Sequence, residues 1–155
     1  MKKISILSIV AFSLVFSLQS CGPNYIYTKE YTIQNNTWCY RDSLTFDVPI
    51  EDEKAKYTFS LLLSHGNDFP NENVYVTLAT KSPDGTRASK QVSLELADKT
   101  GQWRNTSCQA LVPVIENATF SKAGKYSITV AQNNRRDSLE MIEKIGLKVE
   151  KLQNN

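Results

Sequence analysis

One histidine, three cysteines and 16 acidic residues are the chemically capable side chains of this 155-residue chain. A Ser-His-Asp triad would have to use His65, which ends an alternating apolar run beside Gly66 and reads as a surface residue at a strand end. Glu51-Asp52-Glu53 offers carboxylate oxygens to a hard cation, but no further spaced Asp or Asn completes a calcium loop. A solvated turn is the better reading. Glycoside hydrolysis needs two carboxylates facing each other across a cleft. Asp42, Asp47, Asp84, Asp98 and Asp137 are available, and nothing in their spacing selects a pair. Glycine-rich phosphate loops, nucleophile elbows and zinc-protease helices are absent from the sequence. The expectation is therefore no catalytic residue, no metal ligand set and no cofactor.

The clearest chemical signal is Cys21. Lys2-Lys3 is followed by an apolar run, Ile4 to Leu18, interrupted only by serines. As a helix this run would reach about 22 Å, short of the roughly 30 Å hydrocarbon core, which favours a secretory signal over a membrane span. It ends in Leu18-Gln19-Ser20-Cys21, which resembles the bacterial lipobox. In such signals the cysteine thiol receives a diacylglycerol, cleavage falls before the cysteine, and the new amine is acylated. Two or three acyl chains make the attachment durable, where one anchors only marginally. Cys21 is thus expected to be a lipid anchor. No cluster of lysine and acidic residues directly follows it, which favours the periplasmic face of the outer membrane over surface export. The expected organisation is a signal peptide over 1–20, a lipid-anchored leash over 21–30 and one folded domain over 31–152.

Cys39 and Cys108 remain. Thiols in an oxidising compartment commonly pair, and closing a loop of about 70 residues contributes roughly 4 kcal/mol in the chain-entropy model. A Cys39–Cys108 disulfide is the expectation; two thiols packed as small apolar groups are the alternative.

The elements that must position these residues read as strands. Phe46, Val48 and Ile50 alternate with polar neighbours, as do Tyr57, Phe59, Leu61 and Leu63, then Val74, Val76 and Leu78, and Val92, Leu94 and Leu96. Leu111 to Ile115, Tyr126 to Val130 and Ile145 to Val149 complete the set, with Tyr31 to Ile33 at the start. Ser82-Pro83-Asp84-Gly85 marks a tight turn, since proline presets φ and glycine accepts positive φ. The spacing predicts an all-β fold: a single antiparallel β-sandwich, jelly-roll-like, of about eight strands. One short helix is expected within Arg135–Lys144, capped at Asp137 or Ser138 with Leu139 and Ile142 on one face, and a helical turn over Ala97–Gln102. Of the 18 basic residues two precede Cys21, so 16 face 16 acidic ones in the mature part. That balance argues against a nucleic-acid partner.

Several blocks share an order with one family. They are Trp38, Phe46 and Asp52 ahead of Tyr57; Phe69-Pro70-Asn71-Glu72-Asn73-Val74-Tyr75-Val76; and Pro83 with Gly85. Next come Leu94-Glu95-Leu96-Ala97-Asp98-Lys99-Thr100-Gly101-Gln102-Trp103, then Phe120, Gly124 and Tyr126. Arg135, Leu139, Ile142 and the tail Ile145-Gly146-Leu147-Lys148-Val149-Glu150-Lys151 close the series. From Trp38 onward the chain resembles the gliding motility lipoprotein GldH family. It departs where that family follows the tryptophan with small residues, here Arg104-Asn105-Thr106-Ser107, and where a Met-Arg pair becomes Asn134-Arg135.

The resemblance implies an outer-membrane-associated lipoprotein of the gliding apparatus, non-enzymatic, with envelope or gliding-machinery proteins as partners and the membrane reached through its N-terminal lipid. The family-like residues that fall between strands, Asp98, Gly101, Trp103 and Arg135, are the candidate partner-binding set, because connections on a rigid scaffold are where recognition residues concentrate. The competing role for them is a clamp, with Asp98 paired to Arg135 and Trp103 sealing the core. A different class of function, a carbohydrate- or peptide-binding lipoprotein of an outer-membrane uptake system, would require two or three aromatics on one exposed strip.

Overall fold

Alternation of apolar and polar residues becomes ten strands in the computed structural model, which describes residues 22–103 and 108–153. In chain order these are β1 (Tyr25–Thr32), β2 (Thr37–Cys39), β3 (Leu44–Ile50), β4 (Lys56–His65) and β5 (Asn73–Lys81). They continue with β6 (Arg87–Glu95), β7 (Gln109–Ala118), β8 (Gly124–Gln132), β9 (Ser138–Glu140) and β10 (Ile142–Leu152). A 3-10 turn at Gln34–Asn36 is the one helical element among the described residues.

Eight long strands form two four-stranded antiparallel sheets, β1-β10-β4-β7 and β3-β8-β5-β6, and β2 pairs with β9 in a small ribbon. First strand beside last, with chain crossing between sheets after nearly every strand, is jelly-roll connectivity. The expected sandwich is therefore what forms. Inward positions of both sheets meet in one core: Phe46, Val48 and Ile50 from β3 face Phe59, Leu61 and Leu63 from β4, all fully buried. Phe120 packs on Tyr57, Phe59 and Tyr126, with the ring of Tyr126 4.6 Å away. Trp38 and Leu139, opposite each other on β2 and β9, join the same core. Trp38 is fully buried and its indole Nε1 donates to the Asp42 carbonyl at 2.8 Å.

Two seams join the sheets. On one, the Tyr31 hydroxyl donates to the Thr45 carbonyl at 2.6 Å; on the other, Lys90 Nζ donates to the Val114 carbonyl at 2.6 Å. At the end where β1 begins and β10 ends, Lys151 Nζ contacts Asp52 Oδ2 at 2.8 Å and Ala123 N donates to Glu53 Oε1 at 2.8 Å. The acidic run Glu51-Asp52-Glu53 is thus a turn held by an ion pair and a backbone amide.

Three expectations change. No helix forms over Arg135–Lys144: Ser138–Glu140 is strand β9, Met141 takes φ +67°, and β10 starts at Ile142. Leu139 and Ile142 both reach the core, but through a chain reversal at Met141 and not by helical spacing. The leash is shorter than 21–30, since β1 already pairs with β10 from Tyr25↔Glu150 onward. Cys39 and Cys108 are not disulfide-bonded. Cys39 is held on β2 opposite Ser138, whereas Cys108 donates its thiol to Asn67 Oδ1 at 2.7 Å and accepts His65 N at its carbonyl. Different elements therefore fix the two cysteines. The signal sequence and Cys21 lie outside the described residues.

Removing Trp38 should show how much the ribbon contributes. Trp38→Ala is expected to lower unfolding free energy by about 3–5 kcal/mol, the range for emptying a buried tryptophan site, and Trp38→Phe by less, leaving the Asp42 carbonyl without its donor; urea denaturation reads both. A second expectation concerns acid. Asp52 is held below the usual carboxylate range mainly by the Lys151 hydrogen bond, Asp47 by Ser127 and Asp84 by the Thr86 amide. Carboxyls lowered on folding contribute above their unfolded pKa of about 4 and lose that contribution as pH falls through the folded value. The melting temperature should be level down to about pH 4 and decline below it, with Lys151→Met reducing the decline.

Candidate functional site

Strand directions separate the domain into two ends. The near end holds the start of β1, the end of β10 and the turns β3–β4, β5–β6 and β7–β8. The far end holds the connections β4–β5, β6–β7 and β8–β9 together with the β2–β9 ribbon. Asp98, Gly101, Trp103 and Arg135 all fall at the far end, in two of these connections.

Asp98 builds its own loop. Its Oδ1 accepts from Thr100 N at 2.8 Å, Thr100 Oγ1 at 2.6 Å and Gln102 N at 3.0 Å. The backbone closes beneath it, Asp98 N donating to Gln102 O at 2.8 Å and Gly101 N to Asp98 O at 3.0 Å. Gly101 supplies the left-handed residue with φ +80°, a conformation that other residues adopt at a cost. The chain is thereby returned so that Trp103 bridges Ala97. Ala97–Gln102 is a hydrogen-bonded turn of this kind, not a helical one.

Trp103 is half-buried and packs against the core. Its ring centroid lies 4.8 Å from that of His65, which in turn lies 5.0 Å from Phe69. His65 is 1% exposed, so the reading of a surface histidine is overturned. Its Nδ1 lies 2.9 Å from the Gly66 carbonyl, and among the described residues its buried Nε2 has no hydrogen-bond partner. A nitrogen facing a carbonyl carries the proton, which leaves Nε2 an acceptor without a donor. Among the described residues no group of His, Cys, Asp and Glu is arranged to hold a metal. Trp103 thus closes the core over His65 and Phe69, as the clamp reading expects.

Arg135 does not. It is exposed, and among the described residues no ion pair joins it to Asp98. Its flanks are rigid. The buried Gln132 donates from Nε2 to the Arg136 and Asp137 carbonyls, both at 3.1 Å, and accepts Asn134 N at 2.9 Å. Asn134 binds the backbone of Tyr75 twice, accepting Tyr75 N at 3.1 Å and donating to Tyr75 O at 3.0 Å. Arg135 is therefore displayed from a loop tied to β5.

Two exposed tyrosines at this end were not singled out from the sequence: Tyr75, 43% exposed, and Tyr40, 47% exposed with the Arg41 guanidinium 5.2 Å from its ring. The alternation of Val74 and Val76 already placed Tyr75 on the outer face; Tyr40 follows the three-residue strand β2, for which no periodicity could be read. A cleft of about 200 Å³ lies between Phe69–Asn71 and Arg136–Met141. A shallow hollow of about 410 Å³ lies elsewhere, along β5, β6 and β8 beside Lys81 and Arg87.

The family described as GldH lipoprotein matches residues 25–149. A gliding motility lipoprotein GldH homolog from Christiangramia forsetii is 24% identical over 163 aligned positions, covering 97% of this chain and 95% of its own. The gliding motility lipoprotein GldH of Flavobacterium johnsoniae is 24% identical over 145 positions, covering 86% and 89%.

Because the Asp98 side chain is used inside its own loop, Asp98→Ala is expected to destabilise the domain by about 1–2 kcal/mol. Asp98→Asn, which keeps an acceptor at the same place, should retain most of that stability. Chemical denaturation of the two variants side by side checks this.

Proposed function

The chain belongs to the GldH lipoprotein family, and from that premise we propose that it is a lipid-anchored envelope component of the gliding machinery, acting through protein contacts at its far end and without catalysis. Acylation of Cys21 would supply the anchor, and the outer membrane, with the domain in the periplasm, is the location that the residues after Cys21 favour.

The observation that carries the proposal is the contrast within the candidate set. Asp98 and Gly101 shape a loop, and Trp103 is spent on the core. Arg135 is held out to solvent by a hydrogen-bonded frame that also fixes the exposed Tyr75. Arginine and tyrosine on a preorganised support offer a large contact area with few states to freeze, and such residues dominate binding energy at interfaces. The partner surface therefore centres on Arg135 and Tyr75, with Gln132 and Asn134 as their support. A sugar-binding strip is less well supported, because Tyr40 and Tyr75 come from different elements of the far end and Tyr25 lies at the opposite end.

In a strain lacking the native gene, Arg135→Glu and Tyr75→Ala should each leave the melt within about 0.5 kcal/mol of the parent and leave the protein in the membrane fraction, yet fail to restore gliding. Loss of an interfacial anchor worth above about 2 kcal/mol corresponds to roughly 30-fold weaker binding. Cys21→Ala should release the domain from membranes. Full motility with both far-end variants would reject this surface, and a fully membrane-bound Cys21→Ala protein would reject the anchor.

A further inference from the structure

We propose that the near end of the sandwich is a membrane-seating surface, with Tyr25 and Ile26 lying in the lipid headgroup layer and the strands pointing away from the bilayer. The proposal rests on acylation at Cys21 and adds to it the side of the domain that meets lipid.

The tether is too short to let the domain turn. Asn24 is already fastened to the sheet, its carbonyl accepting Lys151 N at 2.9 Å, and Tyr25 N donates to Pro23 O at 3.1 Å. Only Gly22 and Pro23 separate Cys21 from a residue bound to β10. At no more than about 3.6 Å per residue, an acylated Cys21 lies within roughly 11 Å of that hydrogen bond. The polar layer outside the hydrocarbon core is itself about 5–8 Å deep. A domain fastened so closely has no free leash on which to stand off or turn over.

The side chains at this point suit the location. Tyr25 is 40% exposed and Ile26 36%, two of the four large hydrophobic residues exposed on the described surface. Ile26 is the extra residue of a bulge between the pairs Tyr25↔Glu150 and Tyr27↔Val149, which turns the edge of β1 outward. Tyrosine places an apolar ring and a polar tip at the level of headgroups. Lys148 Nζ lies 5.5 Å from the Tyr25 ring centre, a cation at the same level. Charge does not select anionic lipid here, since Glu150 lies beside Lys148 and Lys151 is paired with Asp52. The contact is therefore apolar and aromatic, made to a zwitterionic surface as readily as to an acidic one. Because β10 runs eleven residues from this end to the other, roughly 3.3 Å each, the Arg135 loop stands about 35 Å from the seat.

The test uses the full lipidated protein reconstituted in phosphatidylcholine vesicles containing brominated acyl chains, which quench nearby tryptophan. The parent, with Trp38 and Trp103 at the far end, sets the baseline and should be unquenched. Ile26→Trp and, independently, Tyr25→Trp should each add emission that falls at least twofold with brominated lipid and does not recover in 0.5 M salt. If the variants float with the vesicles but their added emission is unquenched, the anchor stands and the seat is rejected. Quenching of the parent's own tryptophans would reject the orientation. A protein that does not float rejects the anchor and the seat together.

Discussion

Pairing of β10 along both of its edges is the constraint on which the rest of the structure depends. One edge takes β1 and the other β4, so the first strand is held in place by the last. The approach is close at Gly146, where an added Cβ would lie 2.9 Å from Glu30 Cγ, 3.1 Å from the Lys29 carbonyl and 3.3 Å from Leu62 Cβ. Any side chain there would push one neighbour away. With β10 fixed, the register sets Ile145, Leu147 and Val149 inward against β3 and β8, and the chain's entry point is delivered beside its exit. Non-local pairing of this kind makes the sandwich one cooperative unit, since neither outer strand of that sheet has a local partner to fold upon.

Seven of the eight long strands were legible because burial on one face imposes a period of two, and Phe46-Val48-Ile50 or Val74-Val76-Leu78 can satisfy it in only one way. What escaped had no such period. Leu139 and Ile142 have the spacing of a helix face, yet the left-handed Met141 and pairing with Trp38 made them a strand and a reversal; tertiary contacts overrode local propensity. β1 was legible only from Tyr31, because the bulge at Ile26 breaks its alternation: Tyr25 pairs with the outward Glu150, while Tyr27 and Tyr31 pack against the core.

At the site the sequence located the far-end loops but could not apportion roles within them. Asp98, Gly101 and Trp103 stand close together in the chain because they make one turn, and that spacing looks the same whether the turn serves a partner or the core. Only burial separates Trp103 from Arg135. The Cys39–Cys108 bond failed for a related reason: a compartment says that thiols can pair, while strand pairing decides where each is held.

His65 has one more consequence. A buried acceptor with no donor costs about 1–3 kcal/mol relative to the same atom in water, and this one sits at the last residue of β4 beneath Trp103. The deficit is relieved whenever solvent reaches the ring, so small openings at that end are cheaper than anywhere along the dry middle of the sheets. Amide protons around His65, Gly66 and the Ala97–Trp103 bridge are therefore expected to exchange through local excursions, and those of Leu61 and Leu147 only on global unfolding. Opening is thus expected to begin at the His65 end of β4 and to reach the paired middle of the sheets last.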